Sequence, residues 1–200
     1  MQVVALALGN LSTNCYIVHN ENGTFVIDPA CDAHKILAAV TENGWQVGAV
    51  VFTHGHYDHI GAADELGVEC VYVHSEDEKL YRQPEFNLSV HFGAQFRGAK
   101  ECVLLKDGDA FMGFTVLHTP GHTPGGICLY NKEENALFSG DTLFCRGYGR
   151  TDFPGGSMLK LRESLLKLLE LPEETRVFPG HGSDTTIAQE RRNLGWKGSR

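Results

Sequence analysis

The most informative stretch of the chain is Thr53-His54-Gly55-His56-Tyr57-Asp58-His59. It directly follows an apolar run, Gly48–Phe52, which reads as a strand buried on both faces. A polar turn that caps a helix would explain Asp58, but it would not explain the three histidines around it. Histidine is the commonest neutral metal ligand in proteins, and aspartate supplies a hard oxygen. The stretch therefore predicts a metal site.

The spacing of these residues indicates more than one ion. Alternation along an extended loop sends His54 and His56 to one side, whereas Asp58 and His59, at the turn into a helix, reach a second position. Two such clusters so close together predict two adjacent metals, and further ligands must then come from downstream segments. Three downstream candidates each follow an apolar run and lie beside glycine, which lets the backbone approach an ion. They are His122 in Thr119–Gly126, Asp141 in Phe138–Thr142 and His181 in Val177–Gly182.

The rest of the chain reads as strands followed by a helix, and this order occurs twice. Hydrophobic patterning predicts the strands Gln2–Leu8, Asn14–Val18, Thr24–Ile27, Gly48–Phe52, Val68–Val73, Cys102–Leu105, Phe114–Leu117, Ile127–Tyr130, Ala136–Phe138 and Val177–Phe178. The repeated order favours an α/β (α+β) fold in which two sheets lie face to face with helices outside.

Four helices are predicted from capping residues and apolar stripes. The first is capped by Asp32, ends near Asn43 and has Ile36, Leu37 and Val40 on its apolar side. The others span Ile60–Leu66, the region from Ser157 to Glu170 with a stripe of Leu161, Leu165, Leu168 and Leu169, and a last helix from Asp184 or Thr185 to Arg191–Leu194. Residues 75–100 read as a helix plus a flap, in which Phe86, Phe92 and Phe96 are expected to pack in the core.

Composition limits the classes of protein that this chain can represent. Hydrophobic residues make up 42% and charged residues 21%, which is typical of a globular domain, and we expect residues 1–200 to form one. The formal charge of −8 argues against a nucleic-acid or membrane partner. The N-terminal residues do not read as a secretion signal, so we expect a cytoplasmic protein whose six cysteines are reduced.

Taken together, these motifs resemble a known family. His-x-His-x-Asp-His, then Gly-His-Thr-Pro-Gly, Gly-Asp-Thr and Pro-Gly-His-Gly are similar to the pattern of the metallo-β-lactamase superfamily, over Asn14 to Glu190. Within it the chain is most similar to short type II glyoxalases, the hydroxyacylglutathione hydrolases, through Gly149–Gly156 and the region Gly180–Ile187. The resemblance implies a four-layer αββα sandwich with its metals at one edge of the two sheets.

The resemblance also implies a ligand set and catalytic residues. It assigns His54, His56 and His122 to a first metal, Asp58, His59 and His181 to a second, and Asp141 to a bridge between them. Two divalent ions are implied, with zinc expected and iron or manganese left open because mixed imidazole and carboxylate ligands suit all three. Asp58 and Asp141 are the implied catalytic residues. Thr53, Thr123 and Ser139 are candidates for orienting the histidines from behind.

The implied activity is hydrolysis of a small-molecule thioester, such as S-lactoylglutathione or another S-(2-hydroxyacyl)glutathione, by a metal-bound hydroxide. The sequence offers no unassigned acid as a proton donor, and a thiolate leaves without protonation, which favours a thioester over an amide. Arg146 and Tyr148, close to Asp141, are candidate contacts for a substrate carboxylate. Arg150 and Asp152 read as a scaffold ion pair.

Other activities remain open at this point. A persulfide dioxygenase of the same fold would use one iron, held by His54, His122 and Asp141. A lactonase or esterase would need the same hydroxide as a thioesterase, and a non-catalytic metal-binding module is a third class, although a bridging carboxylate is unusual in structural sites. β-Lactamase activity is disfavoured, because the bridging aspartate is usually missing from β-lactamases. The sequence does not indicate an oligomeric state.

Overall fold

The first half of the chain forms a six-stranded sheet in which the strands follow sequence order. The computed structural model describes residues 1–195, so residues 196–200 of the predicted single domain lie outside the described part. The strands of this sheet are β1 (Gln2–Leu8), β2 (Thr13–Asn20), β3 (Gly23–Ile27), β4 (Val47–Val51), β5 (Cys70–His74) and β6 (Glu101–Leu105). Strands β1 to β3 pair antiparallel, and β3 to β6 pair parallel.

The second half forms another six-stranded sheet and a small hairpin. Its strands are β7 (Ala110–Phe111), β8 (Phe114–His118), β9 (Ile127–Asn131), β10 (Ala136–Gly140), β11 (Leu143–Phe144), β12 (Gly147–Tyr148), β13 (Arg176–Pro179) and β14 (Thr185–Thr186). The order across the sheet is β14-β13-β10-β9-β8-β7, with only β10 and β13 parallel, while β11 and β12 pair with each other.

Six α-helices and two short 3-10 helices connect these strands in the described residues. The α-helices are α1 (Ala33–Glu42), α2 (Tyr57–Ile60), α3 (Glu78–Arg82), α4 (Pro84–Asn87), α5 (Met158–Leu169) and α6 (Ile187–Asn193), and the 3-10 helices are Ala63–Glu65 and Ser89–Phe92. None of the helices in residues 1–195 is long and apolar enough to cross a membrane.

Three buried clusters hold these elements in four layers, which confirms the αββα sandwich. Between the sheets, Phe25 of the first sheet meets Phe114 of the second at 5.6 Å between ring centroids. Outside the first sheet, Ile36 of α1 shares a buried cluster with strands β3 and β4. Outside the second, α5 packs on β10 and β13 through the predicted leucine stripe, which is buried. Burial of these apolar faces is the main force that holds the layers together.

The predicted strands are all present, with ends that shift by at most two residues. Four two-residue strands, β7, β11, β12 and β14, were not predicted, because so short a segment has no hydrophobic period.

The helix predictions need several corrections. The predicted helix Ile60–Leu66 is instead α2, which begins at Tyr57, followed by the 3-10 helix Ala63–Glu65. Asp32 precedes α1 in a left-handed conformation, with φ of 56°, and its carboxylate pairs with Lys35 rather than capping the helix. Leu37, predicted to be on the apolar side, is exposed.

The C-terminal helix also starts later than predicted. Thr185 and Thr186 pair with strand β13 as β14, so the first residues of the predicted helix are extended. The side chain of Thr186 then accepts the hydrogen bond of the Gln189 N–H and caps α6. The Ser157 cap was predicted correctly, since its side chain accepts from the Lys160 N–H.

The α5 stripe generates a test of the outer layer. Leu168→Ala removes a fully buried side chain, and we expect the free energy of unfolding to fall by about 2–5 kcal/mol. Leu159→Ala is the matched control on the same helix, because Leu159 is 69% exposed and should change the value by less than about 0.5 kcal/mol. Urea unfolding followed by circular dichroism measures both. Equal effects of the two substitutions would contradict the packing of α5 on the second sheet.

Candidate metal centre

All seven predicted ligands come together at one edge of the sandwich. Each ligand lies in a segment that follows a strand. The loop and helix of residues 53–60 follow β4, and the segments that carry His122, Asp141 and His181 follow β8, β10 and β13 in that order. Together they are His54, His56, Asp58, His59, His122, Asp141 and His181. Residues separated by more than 120 positions therefore share one site, as the motif spacing predicted.

Three histidines form what we call the first group. The ligand atoms of His54, His56 and His122 lie within 4.8 Å of one another, and all three side chains are buried. His56 Nδ1 is only 3.0 Å from His122 Nε2. Nitrogens that converge so closely share the geometry of ligands around one cation.

A second group contains Asp58, His59 and His181. His181 Nε2 lies 3.3 Å from His59 Nε2 and 3.3 Å from Asp58 Oδ2. Asp141 lies between the two groups, because its Oδ2 is 3.5 Å from both His122 Nε2 and His181 Nε2. This carboxylate is therefore in the position of a bridge.

A buried aspartate behind the cluster fixes two of the imidazoles. Asp28 Oδ2 accepts a hydrogen bond from Thr53 Oγ1 at 2.6 Å and another from His59 Nδ1 at 2.9 Å. Because the Thr53 hydroxyl donates to Asp28, it can accept from His54 Nδ1, which is 3.2 Å away. Both Nδ1 atoms then carry the proton, and the Nε2 lone pairs of His54 and His59 are free to face the cluster.

Backbone carbonyls fix two further imidazoles in the same way. His122 Nδ1 donates to the Arg150 carbonyl at 2.7 Å, and His181 Nδ1 donates to the Leu11 carbonyl at 3.1 Å. Both Nε2 atoms, which are the atoms nearest Asp141, are left as acceptors. Four of the five imidazoles are therefore held in the tautomer that a metal ligand needs.

Unsatisfied atoms test whether the site fits a metal. Within residues 1–195, His54 Nε2 and Asp141 Oδ1 are buried and have no hydrogen-bond partner, and the same is true of His56 Nε2. Leaving buried polar atoms unpaired costs about 1–3 kcal/mol each, so a native protein needs a reason for them. A cation between these residues would supply the partner for His54 and Asp141. The donor set of imidazoles and carboxylates suits zinc, iron and manganese.

The electrostatics of the two groups differ. Burial and neighbouring imidazoles hold the pKa of His54 and His56 well below the usual range, so both are neutral and able to donate a lone pair. Burial also opposes the charge on His59, but the carboxylates of Asp58, Asp141 and Asp28 outweigh it and raise the pKa of His59 to about 10. A cation bound in the second group would neutralise the same carboxylates that raise this pKa.

Two more buried carboxylates lie near the cluster, and sequence reasoning missed both, together with Asp28. Asp77 accepts hydrogen bonds from the loops that carry His54 and His122. Burial raises the pKa of Asp77, and these hydrogen bonds oppose the rise. Glu190 of α6 accepts from the Arg146 N–H at 2.9 Å and from Thr185 Oγ1 at 2.7 Å. A lone aspartate or glutamate in a sequence has no pattern that separates it from a surface residue.

The proposed supporting hydroxyls have different partners. Thr53 contacts His54, as expected. Thr123 and Ser139 do not contact a histidine: Thr123 Oγ1 donates to Asp77, and Ser139 Oγ donates to the Leu143 carbonyl. Thr123 is the residue after His122, and Ser139 lies two residues before Asp141. Their hydrogen bonds therefore hold the loops that carry these two ligands, and not the imidazole rings.

A cavity of about 610 Å³ opens over the cluster. Its wall away from the ligands is mostly apolar and includes Leu11, Leu88, Phe92, Phe144, Tyr148 and Phe153. Tyr148 therefore reaches the cavity as predicted, whereas Arg146 is not among the lining residues and faces solvent. Arg146 has φ of 65° in the tight turn between β11 and β12, and its N–H is tied to Glu190, which turns it away.

Two other predictions for the cavity wall are clarified by the structure. Arg150 and Asp152 do form a bidentate ion pair, at 2.6 Å for both contacts, but it is exposed, and Arg150 also lines the cavity. Phe92, predicted to lie in the core, is 49% exposed and faces the cavity. It lies at the end of a 3-10 helix that follows a left-handed residue, Leu88, where the chain turns outward.

With this fold and this site, the chain belongs to the metallo-beta-lactamase superfamily, whose family model matches residues 8–181. GloC of Haemophilus influenzae, a hydroxyacylglutathione hydrolase, is 34% identical over 207 residues, which cover 96% of each chain. YqgX of Bacillus subtilis, a probable metallo-hydrolase, is 34% identical over 93% of this chain and 92% of its own. The superfamily assigns the chain to the metallo-hydrolases.

Solved structures agree with this membership. TTHA1623, crystallised in a di-iron-bound form, is 38% identical with a TM-score of 0.90, covering 96% of this chain and 98% of its own. The B3 metallo-beta-lactamase BLEG-1 is 35% identical with a TM-score of 0.90, covering 98% and 100%. ETHE1 from Myxococcus xanthus is 31% identical with a TM-score of 0.78, covering 96% and 83%.

The Asp28 contacts generate a prediction on metal affinity. Asp28→Asn keeps the shape of the side chain but has one acceptor oxygen in place of two, and its NH₂ group would face hydrogen-bond donors. The side chain at position 28 would then no longer fix the tautomers of both His54 and His59. We expect metal affinity to fall about 10- to 100-fold, measured by chelator competition. Asp32→Asn, a change in an acid that pairs with Lys35 on the surface, is the control and should retain the affinity. Unchanged affinity in a folded Asp28→Asn protein would contradict this role.

Proposed function

We propose that the chain is a binuclear metal-dependent hydrolase that cleaves a thioester. In this proposal the first group would hold one divalent ion, the second group would hold another, and Asp141 would be shared between the two groups. Zinc is the expected metal, with iron or manganese as alternatives. The proposed ligands are His54, His56, Asp58, His59, His122, Asp141 and His181, with Asp58 and Asp141 also acting in catalysis.

The observation that carries the proposal is the position of Asp141. Its Oδ2 lies 3.5 Å from one histidine of each group, and its Oδ1 is buried without a hydrogen-bond partner among residues 1–195. A closed structural metal site needs four protein ligands and no shared carboxylate. A carboxylate between two incomplete groups supports a catalytic pair of ions instead.

The chain's own residues prepare the site for attack on a carbonyl. When bound, two divalent ions supply an activated water and polarise the substrate carbonyl. Asp58 Oδ2 accepts a hydrogen bond from the Thr13 hydroxyl at 3.1 Å and lies 3.3 Å from His181 Nε2, and Asp58 lines the cavity. The two carboxylates leave a net positive site once both ions are bound, and this favours an anionic transition state.

The cavity wall supports a thioester as the substrate. Among the described residues that line the cavity, Asp58 and Asp141 are the only carboxylic acids, and both belong to the cluster. An amine leaving group generally needs a proton donor, whereas a thiolate does not. With no carboxylic acid in the wall outside the cluster, a proton for an amine leaving group would have to come from His91 or Tyr148, whereas a thiolate needs none.

For the substrate itself we propose an S-(2-hydroxyacyl)glutathione such as S-lactoylglutathione, a small molecule of the cytoplasm. The likeness to GloC supports this choice. Tyr148 lines the cavity and would offer a hydroxyl to a substrate carboxylate. Arg150 also lines the cavity, but two of its guanidinium nitrogens are bound to Asp152. Arg146 is the weaker candidate, because its exposed side chain is not among those that line the cavity.

A second candidate is β-lactam hydrolysis, which the likeness to BLEG-1 favours and the presence of Asp141 disfavours. The two activities differ in the leaving atom, since a β-lactam yields an amine nitrogen that needs a proton. A panel of S-lactoylglutathione, a lactone, a cephalosporin and glutathione persulfide with an oxygen electrode separates these possibilities from one another and from a persulfide dioxygenase.

We expect the purified protein to contain two divalent ions per chain and to release thiol from S-lactoylglutathione faster than it opens the cephalosporin. Asp141→Ala should lower kcat/KM for the thioester by at least about 100-fold, because it removes the bridge. Asp184→Ala, at an exposed acid paired with Arg176, is the control and should retain full activity.

Three outcomes would contradict the proposal. One is a single iron per chain with oxygen consumption on glutathione persulfide. Another is faster opening of the cephalosporin than of any thioester. The third is unchanged thioester hydrolysis in the Asp141→Ala protein.

A further inference from the structure

Asp77 is a fully buried carboxylate that lies between two loops of the centre without touching any ligand. It directly precedes α3, at the end of the turn that follows β5. Its Oδ2 accepts from the Gly55 N–H at 3.0 Å and from Thr123 Oγ1 at 2.7 Å, and its Oδ1 accepts from the Gly125 N–H at 2.6 Å. All three bonds go to a charged acceptor, which makes them about twice as strong as neutral ones.

The partners of Asp77 flank the ligands of the first group. Gly55 separates His54 from His56, and Thr123 directly follows His122. The first loop leaves the first sheet and the second loop leaves the second sheet. One carboxylate therefore joins the two halves of the fold at the point where they supply the first group. Its hydrogen bonds do not reach the loop of His181, and they reach the loop that also carries Asp58 and His59 only at Gly55, between the two histidines of the first group.

The fit around this carboxylate is tight. A Cβ on Gly55 would collide with the Leu80 side chain, and a Cβ on Gly125 would collide with Asp77 itself. The backbone of both loops therefore lies in close contact with Asp77 and α3. Neither loop can move closer to them without a steric clash.

The turn that holds Asp77 is secured by its own backbone. The Asp77 N–H donates to the His74 carbonyl, and the Asp77 carbonyl accepts from the Leu80 and Tyr81 N–H groups. The side chain is not needed for those bonds. Its three hydrogen bonds instead act on the two loops, so losing them should loosen the loops and leave the turn in place.

We propose that Asp77 is a positioning residue that sets the spacing between His54, His56 and His122, so that its loss weakens binding at the first group and spares the second. The inference rests on the proposed pair of ions. Asparagine at this position keeps the shape but has one acceptor oxygen, and its NH₂ would face a donor.

The test is a chelator competition with Co²⁺ on the full-length protein, resolved into two binding steps. His56→Ala and His181→Ala identify the steps, because each removes one ligand of one group only. We expect Asp77→Asn to weaken the step that His56→Ala weakens by about 10- to 100-fold, and to change the other by less than about twofold. The Co²⁺ visible spectrum of that first step should also shift.

A matched control removes a carboxylate that ties other segments. Asp64 accepts from Tyr81 Oη and the Ala99 N–H and contacts no ligand loop, so Asp64→Asn should leave both steps unchanged. If Asp77→Asn does not fold, Thr123→Val removes one of the three bonds and should weaken the same step by a smaller factor.

Equal weakening of both steps, or no weakening in folded Asp77→Asn and Thr123→Val proteins, would overturn the proposal. A wild-type protein that takes up only one ion would instead overturn the binuclear function. In that case the Asp77 proposal predicts that Asp77→Asn weakens the binding of that one ion as His56→Ala does, and unchanged binding would overturn it.

Discussion

Holding five imidazoles and two carboxylates at one buried edge is the constraint on which the rest of this structure depends. Each imidazole has to present one particular nitrogen, and an imidazole free to rotate or to change tautomer would not. Partners behind the cluster remove that freedom: Asp28 acts on His59 directly and on His54 through Thr53, while the Arg150 and Leu11 carbonyls act on His122 and His181. Asp28, Thr53 and Leu11 follow strands of the first sheet, and Arg150 follows the β11–β12 hairpin. His122 and His181 themselves follow strands of the second sheet, so the site lies where the two sheets meet.

The ligands could be predicted from the sequence because chemistry is concentrated in short stretches. Three histidines and an aspartate within six residues after a buried strand are improbable as a turn, and the glycine-flanked His122 and His181 follow strands that hydrophobic patterning also finds. The strands followed from the same patterning, since residues buried on both faces form continuous apolar runs. The leucine stripe of α5 has the helical period and is buried as expected.

The partners of the ligands could not be predicted, for a physical reason. A backbone carbonyl exists at every residue, so nothing marks that of Leu11 or Arg150 as the acceptor of a histidine. Asp28, Asp77 and Glu190 are single acidic residues whose burial depends on contacts with segments far away in the chain. Helix starts were wrong for a related reason: Thr185 is extended because β13 offers it a hydrogen-bonding edge, and local propensity does not contain that information.

The metal cluster and the cavity wall are held by different buried acids. Asp28 and Asp77 act on the loops of the ligands, whereas Glu190 of α6 holds the β11–β12 turn through the Arg146 N–H. That turn separates Phe144 from Tyr148, which both line the cavity, while Leu11 and Phe92 come from two further loops. Leu11 and Arg150 hold His181 and His122 through their backbone carbonyls, so the side chains of the cavity wall can change in sequence without removing these attachments of the ligands. This division gives a physical reason why one fold occurs in a superfamily whose members include both a hydroxyacylglutathione hydrolase and a B3 metallo-beta-lactamase.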